Sequence, residues 1–288
     1  MTEFAWSFEI GGSASTESAL QSFFACDWKA LSQPPPGTIL FEGAPPRRVD
    51  SLAQFVSRFN AWTNNAFADF DFSGVVIAGG AVVSCLLDQA PSASSDLDVF
   101  ITGSDPGASL KRLVEHLRLK LSNRLVVRTL NSLTLRRLDD DGAADSKERD
   151  TCPDIQIILR MHTSPAAVVA KFDIDCCACV FTGTDVVAEP RALEAFATGC
   201  NTVDLSLCSY AFETRFLKYV SRGFGVADPH FDRRTMRSPY AQPSGASPSS
   251  LVSHSKLPAF RSIERRIPRR KGSSETGAGR DRLLSATA

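Results

Sequence analysis

From Ser51 to Phe67 the apolar residues Leu52, Phe55, Val56, Phe59 and Trp62 recur at the spacing of one helix face, and Ser51 stands where an N-cap hydroxyl belongs. Val75 to Ala78 is a short unbroken apolar run, which predicts a buried strand, and Ala81 to Leu87 reads as a helix after it. Leu97 to Thr102 predicts a second strand. Ser109 to Leu121 predicts a helix with Leu110, Leu113, Val114 and Leu117 on one face, and Leu125 to Thr129 a third strand. Beyond a charged stretch, Ile155 to Leu159 reads as a strand. Ser164 to Ala170 reads as a helix capped by Ser164 with Pro165 at its first position, and Ile174 to Phe181 as a strand. Pro190 to Ala197 and Ser209 to Arg222 are the remaining predicted helices.

Strands separated by helices in this way predict an α+β, α/β-like domain, a mixed sheet flanked by helices, rather than a bundle or a sandwich. The predicted organisation is an N-terminal extension over 1–50, the sheet domain over 51–231 and a basic tail over 232–288. Three segments punctuate it. Gln33 to Gly37 (QPPPG) is a polyproline-type connector, and Asp139 to Pro153 (DDDGAADSKERDTCP) is a charged loop. The tail from about Arg237 is so rich in Ser, Pro, Gly and Arg that it is expected to be disordered.

Composition changes this picture in two respects. With 43% hydrophobic and 22% charged residues in 288, the chain has enough apolar material for a sizeable core, and no window approaches eighteen uninterrupted apolar residues, so a soluble protein with no membrane partner is expected. The start, MTEFAWSFEIGG, carries an acid and no apolar run where a secretory signal would be basic and then apolar. Eight scattered or crowded cysteines do not resemble a disulfide framework. An intracellular setting, cytoplasmic or nuclear and not secreted, is therefore expected. The formal net charge is zero, but residues from Asp232 onward carry 12 Lys or Arg against 4 Asp or Glu, leaving an acidic body and a basic tail.

The chemistry concentrates between Ile77 and Phe100, IAGGAVVSCLLDQAPSASSDLDVF. At the start of a strand, Asp96 and Asp98 project to one face while Leu97 packs behind them. Two carboxylates that close repel unless a cation lies between them, and Mg²⁺, a hard ion that also binds phosphate, suits the pair. Gly79 and Gly80 let the backbone approach a ligand closely, and the helix starting there offers free N–H groups to phosphate. Arg215, Lys218 and Arg222 recur at helical spacing, either as a cationic rail toward a triphosphate or as the wet face of a helix whose Phe212, Phe216 and Tyr219 face the core. The run Cys176, Cys177, Cys179 reads as buried small hydrophobes rather than a zinc site.

A Gly-Gly turn followed by a strand bearing Asp-x-Asp resembles the polymerase-beta-type nucleotidyltransferase superfamily, on Gly79, Gly80, Asp96 and Asp98. The stretch Ile155 to Val180 is similar to a divergent branch in which a Val/Ile-Gln-hydrophobic strand and a short helix precede Phe-Asp. Arg215 to Phe224 resembles that branch's closing helix. The resemblance covers about Phe72 to Phe224. It implies a nucleotidyltransferase fold and transfer of a nucleoside monophosphate from a nucleoside triphosphate to a hydroxyl acceptor, an RNA or a small molecule among the candidates. It also implies a third carboxylate that helps hold the metal and takes the acceptor's proton: Asp173, in the Phe-Asp pair, with Asp175 in reserve. Two Mg²⁺ ions, or Mn²⁺ in their place, would be held by Asp96, Asp98 and Asp173. The triphosphate would be seated by Gly79, Gly80, Ala81 and Lys218. Family members often carry Ser where this chain has Ala81, which removes a phosphate-contacting hydroxyl. Two other readings stay open: a catalytically degenerate fold that binds a partner or nucleotide, and a nucleic-acid-binding protein acting through RSIERRIPRRK in the tail.

Overall fold

The computed structural model describes residues 9–10, 19–31, 37–88, 95–121, 124–138 and 151–231. The basic tail, most of the charged loop and the prolines of the QPPPG connector lie outside the described residues.

Among the described residues, twelve strands and six α-helices follow in chain order. Three short strands come first, β1 (Glu9–Ile10), β2 (Gln21–Ser22) and β3 (Thr38–Phe41), and then helix α1 (Leu52–Trp62). Strand β4 (Val75–Ala78) leads into α2 (Gly80–Leu86), and β5 (Leu97–Thr102) into α3 (Pro106–Lys120). A hairpin of β6 (Arg124–Arg128) and β7 (Ser132–Arg137) precedes β8 (Ile155–His162) and α4 (Pro165–Val169). A 3₁₀ turn at Asp175–Cys177 opens onto β9 (Cys179–Phe181), β10 (Val186–Ala188) and α5 (Pro190–Thr198). The chain closes through β11 (Cys200–Thr202), α6 (Phe212–Val220) and β12 (Gly225–Asp228).

The main sheet runs β2-β10-β9-β4-β5-β8-β7-β6, with β1 alongside the C-terminal end of β8, and a second sheet runs β11-β12-β3. It is a mixed sheet: β4 is antiparallel to β5 and to β9, whereas β5 is parallel to β8. All four residues of β4 are buried, as expected of a strand covered on both faces, and this explains why its sequence is an unbroken apolar run. The α+β class expected from the sequence is what the chain adopts. Residues before Ser51 supply strands to both sheets, since β2 pairs with β10 and β3 with β12.

Helix α1 begins where its cap predicts: the Ser51 hydroxyl accepts from the Gln54 N–H, and the Gln54 side chain accepts from the Asp50 N–H at 2.8 Å. It buries Phe55 and Phe59 against Phe181 of β9, with ring centroids 5.0 and 5.2 Å apart. The sequence pattern carries this helix on to Phe67, but it ends at Trp62 because Asn64 and Asn65 take positive φ, 50° and 56°, and turn the chain. Helix α3 starts three residues before the expected Ser109, since Asp105 accepts from the Ala108 N–H at 2.9 Å and Pro106 fills the first turn. Among the described residues no helix is long and apolar enough to cross a membrane.

The expectation of one strand from Ile174 to Phe181 is corrected. Its first half is the 3₁₀ turn, and only Cys179 to Phe181 pair as a strand. The Cys176 N–H donates to the Asn201 side chain at 2.9 Å and the Ala178 N–H to the Asp175 carbonyl, which bends the backbone out of extension. Cys176, Cys177 and Cys179 are all buried, and burial pushes the thiols of Cys176 and Cys179 far up. They pack as hydrophobes, as the sequence indicates.

Candidate active site

The turn between β4 and α2 has a conformation that demands glycine. Gly79 sits at φ 78°, ψ −138°, a region closed to L side chains, and its N–H donates to the Cys179 carbonyl at 3.1 Å. A Cβ built at Gly79 would lie 3.1 Å from the ring of Phe172, and one at Gly80 would lie 3.0 Å from the Tyr219 hydroxyl. The missing side chains thus let Phe172 and helix α6 settle on the turn. The N–H groups of Gly80 and Ala81, in the first turn of α2, have no acceptor within the helix.

Asp96 immediately precedes β5 and Asp98 is its second residue. Leu97 between them is fully buried, Asp96 is exposed and Asp98 is half-buried, as the alternation of a strand requires. The Asp98 carboxyl is pushed up to about 6, first by burial and next by the charge of Asp96, against the opposing pull of Lys218 and Arg215. The charge of Asp96 therefore reaches Asp98. Arg215 and Lys218 lie three residues apart on α6 and share a face, and both charges lower the Asp98 carboxyl.

The two downstream acids diverge. Asp173 is buried, and its Oδ2 accepts from Arg215 Nη2 at 2.6 Å and from the Ser209 hydroxyl at 2.8 Å. Asp175 turns toward α5 and β11. It meets Arg191 Nη1 at 3.3 Å and accepts from the Thr202 N–H at 2.6 Å, while burial pushes its carboxyl up to about 6. Asp173 is thus linked to the Asp98 neighbourhood through Arg215, and Asp175 is tied into the support behind it. Arg222 lies apart from this group, with its guanidinium 5.2 Å from the centre of the Tyr219 ring.

Two residues that sequence reasoning did not single out complete the arrangement. Arg191 donates to Glu189 at 2.5 Å, to the Phe172 carbonyl at 2.6 Å and to the Val169 carbonyl at 2.9 Å, besides meeting Asp175. It fixes the segment that presents Phe172 to Gly79 and Asp173 to α6. An arginine just after Pro190, where a helix N-terminus disfavours cations, was the available signal. Ser209 offered no sequence signal, because its role depends on Asp173 and Arg215 reaching it from distant positions.

Asp96 and Asp98 have the donor chemistry for Mg²⁺: two carboxylates with hard oxygens, two residues apart, the charge of Asp96 helping to raise the half-buried Asp98 carboxyl. Among the described residues no three His, Cys, Asp or Glu side chains form a group that would hold a metal ion. The pair fits an ion that completes its shell with water and phosphate, while Asp173 is engaged by Arg215.

Solved structures of a CCA-adding enzyme in complex with CTP and with ATP superpose with TM-scores of 0.34 and 0.36, at 17% and 16% identity. They cover 60% and 62% of this chain and 37% and 40% of theirs. Uncharacterized protein R883 of Acanthamoeba polyphaga mimivirus is 24% identical over 203 residues, 66% of this chain, which spans only 43% of that relative. The family model described as Gabija anti-defense 2 family protein (Gad2) matches residues 53–199, which hold the glycine turn, Asp96, Asp98, Asp173 and Asp175. That match takes in just over half of the sequence, and the chain belongs to the Gad2 family.

Proposed function

We propose that this chain is a metal-dependent nucleotidyltransferase that moves a nucleoside monophosphate from a nucleoside triphosphate to a hydroxyl acceptor. The observation that carries the reading is that the charges of Asp96, Lys218 and Arg215 all act on the Asp98 carboxyl, on the strand next to the one that leads into the Gly79–Gly80 turn. Carboxylates for a cation and cations for phosphate, brought to one place, are what phosphoryl-group chemistry requires.

In this reading Asp96 and Asp98 would hold Mg²⁺, and Asp173 would become the third carboxylate only once Arg215 releases it. When bound, the ion neutralises charge on the α-phosphate and acidifies the acceptor hydroxyl. Lys218 draws the triphosphate toward Asp98, and the first N–H groups of α2 face its oxygens. Asp173 takes the acceptor's proton. Its Oδ2 already accepts from one hydroxyl, that of Ser209, so the position suits a second such donor. Arg215 moves from Asp173 to the phosphates as the site fills. Most of the rate then comes from positioning, with few side chains involved.

The family's name supports countering Gabija defence as the setting of this activity. The acceptor hydroxyl belongs to an RNA, a small molecule or a protein.

Two observations favour a second reading, a nucleotide-binding module without turnover: Arg215 already neutralises Asp173, and Ala81 lacks the hydroxyl that the resemblance leads one to expect. Calorimetric titration with each ribonucleoside triphosphate and Mg²⁺ tests what the two share. Both readings expect binding that weakens at least tenfold in Lys218→Ala. Equal affinity in wild type and Lys218→Ala would remove α6 from the site, and undetectable binding of every triphosphate would remove both readings.

A further inference from the structure

The Ser209 hydroxyl is held in one orientation by chemistry alone. Arg215 Nη2 and the Ala211 N–H, at 3.3 Å, can only donate to its oxygen, and the Asp173 carboxylate, at 2.8 Å, can only accept its proton. The hydroxyl is therefore polarised, its proton directed at a carboxylate and its oxygen left facing a guanidinium. Ser209 is exposed, on the loop that leads into α6; its two donors engage both lone pairs of the oxygen, so attack on a phosphate requires the longer of these contacts, from the Ala211 N–H, to release. Nearby Ser206 is arranged differently: its N–H and hydroxyl both bond Asp204 Oδ1, at 2.9 and 2.7 Å, a local turn with no link to Asp173 in its bonding.

We propose that Ser209 is an acceptor of this chain's own reaction, a site of self-nucleotidylation by a nucleoside triphosphate. The inference rests on the nucleotidyltransferase reading above and names one substrate hydroxyl for it. The Ser209 Oγ attacks the α-phosphorus, forming the Oγ–P bond as the bond from the α-phosphorus to the bridging oxygen breaks. The proton passes to Asp173 Oδ2, pyrophosphate leaves with the bond's electron pair, and the product is a serine nucleoside monophosphate diester. No oxidant or further reactant is needed. Arg215, already in contact with the Oγ, faces the diester's negative charge and stabilises it.

Incubation of the full chain with Mg²⁺ and each of the four ribonucleoside triphosphates in turn, followed by intact-mass measurement and peptide mapping, tests this. The expected result is a gain of one nucleoside monophosphate on Ser209, lost in Ser209→Ala, kept in Ser206→Ala and recovered in part in Ser209→Thr, which restores a hydroxyl. The thermal midpoint of each variant separates loss of the acceptor from loss of the fold, and if Ser209→Ala unfolds, the mapped site in wild type and Ser209→Thr decides. Modification mapped elsewhere, or persisting in folded Ser209→Ala, overturns the inference. Pyrophosphate release, or transfer to an added acceptor, with Ser209 unmodified overturns it while leaving the nucleotidyltransferase reading intact. Failure to bind any triphosphate overturns both.

Discussion

Arg215 and Asp173 form an ion pair at 2.6 Å, and the same guanidinium acts on Asp98 through space, so one cation serves carboxylates from two distant parts of the chain. Arg215 holds the Asp98 carboxyl down against burial and the charge of Asp96. In Arg215→Met the Asp98 pKa should therefore rise above about 6. An NMR titration of the Asp98 side-chain carboxyl measures this. An unchanged midpoint would show that Arg215 does not act on Asp98 in solution.

Gly79→Ala places a Cβ in a backbone region reserved for glycine and against the Phe172 ring. A loss of about 1–3 kcal/mol in urea denaturation is expected from the backbone alone. Gly80→Ala meets only the Tyr219 hydroxyl, at 3.0 Å, and its φ is not in the positive region, so a smaller loss is expected. Equal costs for the two would mean that the turn has another conformation in solution.

Arg191 is the counter-charge of two buried acids, Glu189 and Asp175, and donates to two carbonyls of the segment before Asp173. Removing it in Arg191→Met leaves both carboxylates without that partner, and a loss of about 3–5 kcal/mol is expected from the buried charge. Arg191→Lys can replace the charge but not the fork of donors, so it should recover only part. A loss under about 1 kcal/mol in Arg191→Met, the range of surface pairs, would contradict the role assigned to it.

The buried strands and capped helices were legible because their signals are local. β4 and β5 begin and end within a residue of the apolar runs, and the Ser51 and Ser164 caps stand where the hydroxyls predict. Short pairing strands were not: β10, β11 and β12 span three or four residues each, and nothing in so short a run marks it as a strand until its partner is known. β7, SLTLRR, carries the alternation of a strand facing solvent on one side, but with only two apolar residues it holds no continuous apolar run. At the site, Asp96 and Asp98 were legible because period-two spacing brings them together. The roles of Asp173 and Asp175 were separable only once Arg215 and Arg191 were seen to claim one each.

The contribution of Asp98 and Asp175 to stability should fall as pH rises through the acidic range. The carboxyls of Asp98 and Asp175 are raised from an ordinary 3.8 to about 6 in the folded chain, so between those values the native state binds more protons than the unfolded one. Below the ordinary value the two states are protonated alike and burial carries no penalty. Above about 6 both acids are charged and the penalty is complete. The denaturant midpoint should drop across that window without Mg²⁺, and Asp98→Asn should lessen the drop and raise the midpoint at neutral pH. A midpoint that climbs through the window in wild type, with Asp98→Asn unchanged, would show that the Asp98 carboxylate is not under strain.

The most direct test of nucleotidyl transfer at Asp96 and Asp98 is label incorporation from α-labelled nucleoside triphosphates in Mg²⁺, comparing wild type with Asp98→Asn on the chain itself, an RNA pool and small hydroxyl compounds. The account predicts label transfer by wild type and a loss of at least 10²-fold, on the order expected when an electrostatic group at the reacting centre is removed, in an Asp98→Asn protein that remains folded. Transfer by Asp98→Asn at the wild-type rate, or no transfer by either protein to any acceptor, would contradict it.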